Sequence, residues 1–366
     1  MKNKHINIIF SVILVITIGV VSFAVIHHHK NNSSLAVNNI SVETTTSRQD
    51  GFYSENGSLF YYKDGKKSNY NGFVDSEVNG EKVKYYLVNG KVDVSYNALI
   101  RKENNLWWYV KNGKVSEVSD ETALLKLNEI FAVSSSKDKF SFYGGYTFSA
   151  ETAESIENAI KSVEKKGYKV GLCVYDLNSF EGFSYNTDEK IYSASAIKGP
   201  YVASLINHDN SLLEKEKGRI NAILKNSSNV DYESLRSQYG DECVVNWSPD
   251  SENFIKTDRD YQYITPHQLS ELWLSNFIFF ESGDVGAEAG KLFENPVHSP
   301  IKSAFGDKYI TRTKAGWVEK NNIEVTNDAG IVYVNNKAYL ITIMTTAPCD
   351  FSVVETLATA IEKTIE

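Results

Sequence analysis

Cysteine is scarce, with three residues (Cys173, Cys243 and Cys349) in a chain of 366. They are too few and too far apart for a disulfide framework or a zinc site of the Cys-x-x-Cys kind, so they read as small apolar side chains. No metal and no cofactor is expected. Basic charge is also short: 38 Lys and Arg stand against 46 Asp and Glu, a net charge of −8, and they are scattered along the chain. No stripe could follow a phosphate backbone, which excludes nucleic acid as a partner. Beyond residue 149 there are three histidines, His208, His267 and His298, and no Gly-x-Ser-x-Gly motif. A Ser-His-Asp triad is therefore excluded, and a serine nucleophile there needs another base.

Long apolar runs are missing except for one. Residues 6–26 carry no charge and follow Lys2 and Lys4. As a helix rising ~1.5 Å per residue, the run spans a hydrocarbon core of ~30 Å. It passes into His27-His28-His29-Lys30 without the small-residue pattern of a cleavage site. Residues 1–30 therefore read as an uncleaved signal anchor, a transmembrane helix that makes the membrane a partner and puts the rest of the chain outside the cell. Residues 31–50, rich in Ser, Thr and Asn, read as a flexible linker.

From residue 51 to 118 the chain repeats itself. Phe60-Tyr-Tyr-Lys-Asp-Gly-Lys, Tyr85-Tyr-Leu-Val-Asn-Gly-Lys and Trp107-Trp-Tyr-Val-Lys-Asn-Gly-Lys place turn glycines at Gly65, Gly90 and Gly113. Each unit predicts a β-hairpin, an aromatic strand followed by a two-residue turn and a second short strand. The segment resembles the aromatic-glycine repeats of Gram-positive surface proteins, close to cell-wall- and choline-binding repeats. That resemblance implies a wall polymer as partner; the alternative is a spacer whose aromatics only pack on neighbouring units. Residues 119–148 read as a connector with one helix at residues 123–131.

The remaining residues, 149–366, predict an α+β, two-lobed domain. Ser149 caps a first helix, strands follow at residues 169–177 and 182–185, and a helix-rich block runs from 195 to 305. Three more strands are expected at residues 309–313, 323–334 and 337–346, before a final amphipathic helix. Strands at both ends of a helical block imply one antiparallel five-stranded sheet, flanking terminal helices and an inserted helical lobe. A cleft is expected between sheet and lobe.

Ser195-Ala-Ile-Lys198 puts a hydroxyl and an amine three residues apart at a helix start, on one face and about 5–6 Å apart at Cβ. Backbone N–H groups at such a terminus favour an oxyanion, and a lysine base requires a pKa lowered by burial or a nearby cation. Ser227-Ser228-Asn229 and Lys314-Ala315-Gly316 follow in order. With these three motifs, residues 149–366 resemble the penicillin-recognising serine hydrolases, that is, class A β-lactamases and D-alanyl-D-alanine peptidases. The resemblance implies Ser195 as acylated nucleophile, Lys198 as general base and Ser227 as proton relay. It also implies Asn229, Lys314, Ala315, Gly316 and Trp317 as substrate-binding positions, with the Ser195 and Trp317 amides forming an oxyanion hole. The substrate implied is a β-lactam or a D-alanyl peptide, and the location a Gram-positive-type cell surface.

The pattern departs from the family in three places. Ala315 stands where the family has a hydroxyl, and Trp317 is bulky. The Glu-x-x-Leu-Asn pattern of the deacylating Glu is missing from residues 243–264, where only Asp250 and Glu252 lie at a comparable position. Pro200 is expected to kink the nucleophile helix or confine it to one turn. The alternative function is a catalytically weak or inactive wall-binding surface protein that uses this domain as a ligand module.

Overall fold

A computed structural model describes residues 48–78, 80–102, 106–132, 138–320 and 322–365. The anchor at residues 6–26 and most of the linker lie outside the described residues. Among the described residues no helix is long and apolar enough to cross a membrane.

The hairpin repeats join edge to edge into one nine-stranded sheet, from Gly51–Glu55 to Lys114–Val118. Each turn is pinned by a side chain from the residue just before a strand, Gly51–Glu55, Gly72–Val78 or Ala98–Arg101. The amides of Asp64, Asn89 and Asn112 donate to the side chains of Asp50, Asn71 and Asn97. Gly90 and Gly113 have positive φ, and a Cβ there would strike Ser68 O at 1.8 Å and Asp93 O at 2.5 Å, so only glycine fits both the turn and the contact. The aromatic ledges are half-buried against one another: Tyr86 stacks on Tyr96 at 3.8 Å, and Phe73 meets Trp108 edge-on at 5.0 Å.

The segment expected to be a connector forms helix α1 (Asp120–Phe131) and strand β1 (Phe140–Tyr143). Strands β2 (Val170–Asp176), β3 (Gly182–Tyr185), β4 (Ile310–Lys320), β5 (Ile323–Val334) and β6 (Lys337–Thr345) complete an antiparallel sheet in the order β1-β3-β2-β6-β5-β4. The expected five strands are therefore six. Phe140-Ser-Phe-Tyr pairs with β3, whose partners run from Tyr185 opposite Phe140 to Gly182 opposite Tyr143, far along the sequence.

Alternation along β2 assigns its two faces. Leu172 and Val174 pack with helix α2 (Ala150–Glu164) and with the C-terminal helix Phe351–Ile365. Cys173 and Tyr175 face the helical lobe and α1, and Phe131 stacks on Tyr175 at 4.1 Å. That second core also takes in Leu99, Trp107 and Tyr109 from the last repeat, with Trp107 5.7 Å from Phe277. Leu99 exchanges backbone and side-chain hydrogen bonds with Asn178. Contacts accordingly gather residues 47–366 into one compact unit.

The helix that follows Ser195 is intact despite Pro200. A 3-10 turn, Ala194–Ile197, leads into α3 (Lys198–His208). Pro200 falls in the first turn of α3, where a missing N–H breaks no intrahelical bond. Helices α4 (Lys217–Asn226) and α5 (Asn229–Tyr239) meet at Ser227-Ser228. Ser227 closes α4 in the left-handed region at φ 59°, and Ser228 Oγ caps α5 by accepting from Asp231 N. Further along the lobe, Thr265 caps helix α6 (Pro266–Phe280), with Gln268 completing the box.

Candidate active site

Strand β4 is the floor on which the site is built. Lys314-Ala315-Gly316 lies in the middle of this eleven-residue strand rather than at the end of a short one. A Cβ at residue 316 would lie 2.2 Å from Ala196 N and 2.7 Å from both Ser195 N and Ser193 O. The turn carrying Ser195 thus rests directly on the β4 backbone. Asn327, paired with Gly316, fixes the approach by donating from Nδ2 to Tyr192 O (2.8 Å) and Ser193 O (3.1 Å) while its Oδ1 accepts from Thr345 N. Ala194 is held at φ 42°, an uncommon conformation for a residue with a Cβ, immediately before Ser195.

We expect Gly316→Ala to displace this turn and slow acylation of Ser195 by about a hundredfold, since misplacing a reacting group by about 1 Å costs that much. Rates followed by intact mass, with melting temperature as the fold control, check this.

The side chains nominated by sequence converge here. Lys198 is fully buried, and its ammonium donates to Ser227 O (2.8 Å), Ser228 O (3.4 Å) and Asn229 Oδ1 (2.5 Å). Among the described residues Ser195 Oγ is not one of its hydrogen-bond partners. Lys314, 2% exposed, donates to Ser227 Oγ (3.0 Å) and Ala315 O (2.6 Å). Ser227 therefore links the two lysines, its carbonyl taking one and its hydroxyl the other. Ser195 is buried to 9% exposure. Burial lowers the Lys198 pKa to about 8, opposed by the charge of Glu233. Burial also lowers that of Lys314 to about 7; the Lys198 charge adds to this and Asp328 opposes it.

Trp317 borders this cluster, its ring centroid 5.7 Å from Lys314 Nζ. The same half-buried ring lies 5.3 Å from His298 and 5.0 Å from Phe351. Asp250 and Glu252 are exposed on a short helix, Ser251–Phe254, and its cap, and neither reaches the lysines. Instead, the loop before α6 brings in Tyr261, whose hydroxyl donates to Asn229 Oδ1 at 3.0 Å and whose ring lies 5.7 Å from Lys198 Nζ. Burial raises the Tyr261 pKa to about 12, so it is a neutral donor near pH 7. Sequence reasoning gave no site role to Tyr261 or to Asn327, because the contacts that place them are tertiary.

The beta-lactamase enzyme family model matches residues 151–212 and 244–365, which hold Ser195, Lys198 and Lys314 and bracket the stretch carrying Ser227 and Asn229. The chain belongs to the beta-lactamase enzyme family. It is a serine hydrolase of that type. Similar solved structures include a class A beta-lactamase from Clostridium kluyveri, at 15% identity over 59% of this chain and 99% of that one (TM-score 0.47). A beta-lactamase from Sphaerobacter thermophilus matches at 14% identity over 58% and 95% (TM-score 0.49). One representing the class A enzymes, from Bacteroides cellulosilyticus, matches at 16% over 58% and 98% (TM-score 0.48). No curated protein sequence matches the chain.

Proposed function

We propose that this beta-lactamase-family protein is a cell-surface hydrolase that forms an acyl-enzyme on Ser195, taking β-lactams or D-alanyl peptides as substrates. The observation that carries the reading is the junction at Ser227, where the two buried lysines from separate motifs meet beside the Ser195 turn. Neutral Lys198 accepts the Ser195 Oγ proton as Oγ attacks the substrate carbonyl. The amides of Ser195 and Trp317 receive the oxyanion. Ser227 passes a proton to the leaving nitrogen, Asn229 Nδ2 holds the substrate amide carbonyl, and Lys314 binds the carboxylate.

With Tyr261 rather than a carboxylate beside Asn229, water activation also falls to Lys198, which supports slow deacylation. We propose that residues 6–26 anchor the protein in the membrane and that the repeats at 51–118 hold a wall polymer through their half-exposed aromatic rings.

The test is to incubate the full chain with a penicillin and follow drug and protein together. A lasting adduct with little drug consumed is the expected result and marks a peptidase-like enzyme. Rapid consumption without an adduct contradicts slow deacylation and marks an efficient β-lactamase. A second reading, a binding module without turnover, is favoured by Ala315 in place of a hydroxyl and by a Lys198 ammonium whose hydrogen bonds go to Ser227 O, Ser228 O and Asn229 Oδ1; absence of both adduct and consumption supports it.

A further inference from the structure

Lys314 has to be charged to hold an anion, yet it is buried with no acid in hydrogen-bond contact. Among the described residues the acid whose charge acts on it is Asp328 of β5, paired across the strands with Ala315. Asp328 is fully buried on the face of the sheet turned away from Ser227. Its Oδ2 accepts from Ser299 Oγ (2.6 Å) and Ile301 N (3.0 Å), and Ser299 Oγ is bonded in turn to Thr313 Oγ1 (2.8 Å). Its Oδ1 is buried with no hydrogen-bond partner.

A buried carboxyl oxygen without a donor is unfavourable by about 1–3 kcal/mol. An asparagine could accept the same two hydrogen bonds without a charge. The acid therefore has a role beyond capping the segment Pro300–Phe305.

We propose that Asp328 is a positioning residue for the anion grip: from behind the floor strand it supplies the counter-charge that keeps Lys314 protonated and able to hold a substrate carboxylate. This rests on the reading of Lys314 as the carboxylate partner.

Little else competes for the Asp328 charge. From β6 it meets Ile343, and the C-terminal helix buries Val353, Val354, Leu357 and Ala358 on its inner side. Lys302 is paired with Asp307, and His298, next to Ser299, is exposed. Burial raises the Asp328 pKa to about 7, opposed by Ser299, the Ile301 amide and Lys314, so acid and lysine titrate as a coupled pair near neutrality. Asp328 raises the Lys314 pKa, so removing its charge makes Lys314 lose its proton at lower pH.

The experiment compares acylation of the full chain by a penicillin and by its methyl ester from about pH 5.5 to about pH 9.5, in wild type and Asp328→Asn. For wild type the acid should give a bell, because Lys198 must be neutral and Lys314 charged, whereas the ester should give only a rise with pH. In Asp328→Asn the bell should shift to lower pH, and the acid-to-ester rate ratio above neutrality should fall about tenfold for each unit by which the Lys314 pKa drops. Superimposable bells in the two proteins would overturn the proposal. Should Asp328→Asn fail to fold, Ser299→Ala, which removes a hydrogen bond that helps keep Asp328 ionised, must move the bell the same way by a smaller amount; an unmoved bell overturns the proposal equally. A wild-type ester that shows the same bell as the acid sinks the carboxylate reading of Lys314 itself, a distinguishable failure.

Discussion

A fragment beginning at Ser149, the point where the sequence places the start of the hydrolase, is expected not to fold. It loses Phe131, stacked on Tyr175 at 4.1 Å, Tyr143, 5.1 Å from the same ring, and Trp107 against Phe277. Losing each such aromatic from a core is comparable to a Phe→Ala or Trp→Ala change, about 3–5 kcal/mol. Three of them together are comparable to the about 5–15 kcal/mol that holds a typical domain folded. The cut also removes β1 and exposes β3 as a new sheet edge, a route to aggregation. Near-ultraviolet circular dichroism and thermal melting check this. The chain from Arg48 should melt cooperatively, and the fragment from Ser149 should show no cooperative transition. Equal melting temperatures would mean that the last repeat and α1 are only appended to the hydrolase.

Lys198→Met should slow acylation by about 10²–10⁴ while leaving the fold near wild-type stability. Methionine fills the volume of the lysine stem, and the substitution removes a desolvated charge, which offsets the hydrogen bonds lost from Ser227 O and Asn229 Oδ1. The pH dependence carries the sharper information. Burial lowers the Lys198 pKa, so the neutral, base-competent form grows as pH rises through about 8. Wild-type acylation of an uncharged substrate should rise through that region, and the residual rate of Lys198→Met should not. Stopped-flow acylation with a chromogenic β-lactam ester measures both. A variant that keeps the rise would show that another group is the base.

The convergence of the motifs was easier to read than its support. Lys198, Ser227, Asn229 and Lys314, which meet beside the Ser195 turn, were legible as neighbours because they lie in short motifs with a fixed order. Gly316 was legible as part of a motif, but its reason was not: the closeness of β4 to the Ser195 amide is a tertiary fact. Asn327, Tyr261 and Asp328 act across strands or between a loop and a helix, with no local spacing to announce them. β1 was missed because four residues carry little periodicity and their partner strand is distant. Its alternating Phe140 and Phe142 were the available signal. Pro200 was misjudged because the 3-10 turn moves the helix start to Lys198, which makes proline a first-turn residue. The packing of the last repeat against the lobe was illegible for a similar reason. Trp107, Tyr109 and Phe131 look like repeat and connector aromatics in sequence, but in the fold they belong to the core of the lobe.

The most direct test of the account is the mass of the full chain after exposure to a penicillin, measured beside Ser195→Ala and followed by peptide mapping. The account predicts a gain of one intact drug mass on wild type, mapped to Ser195, and none on Ser195→Ala, whose acylation should fall by at least about 10³. An adduct that persists in Ser195→Ala, or that maps to another residue, would contradict the assignment of the nucleophile.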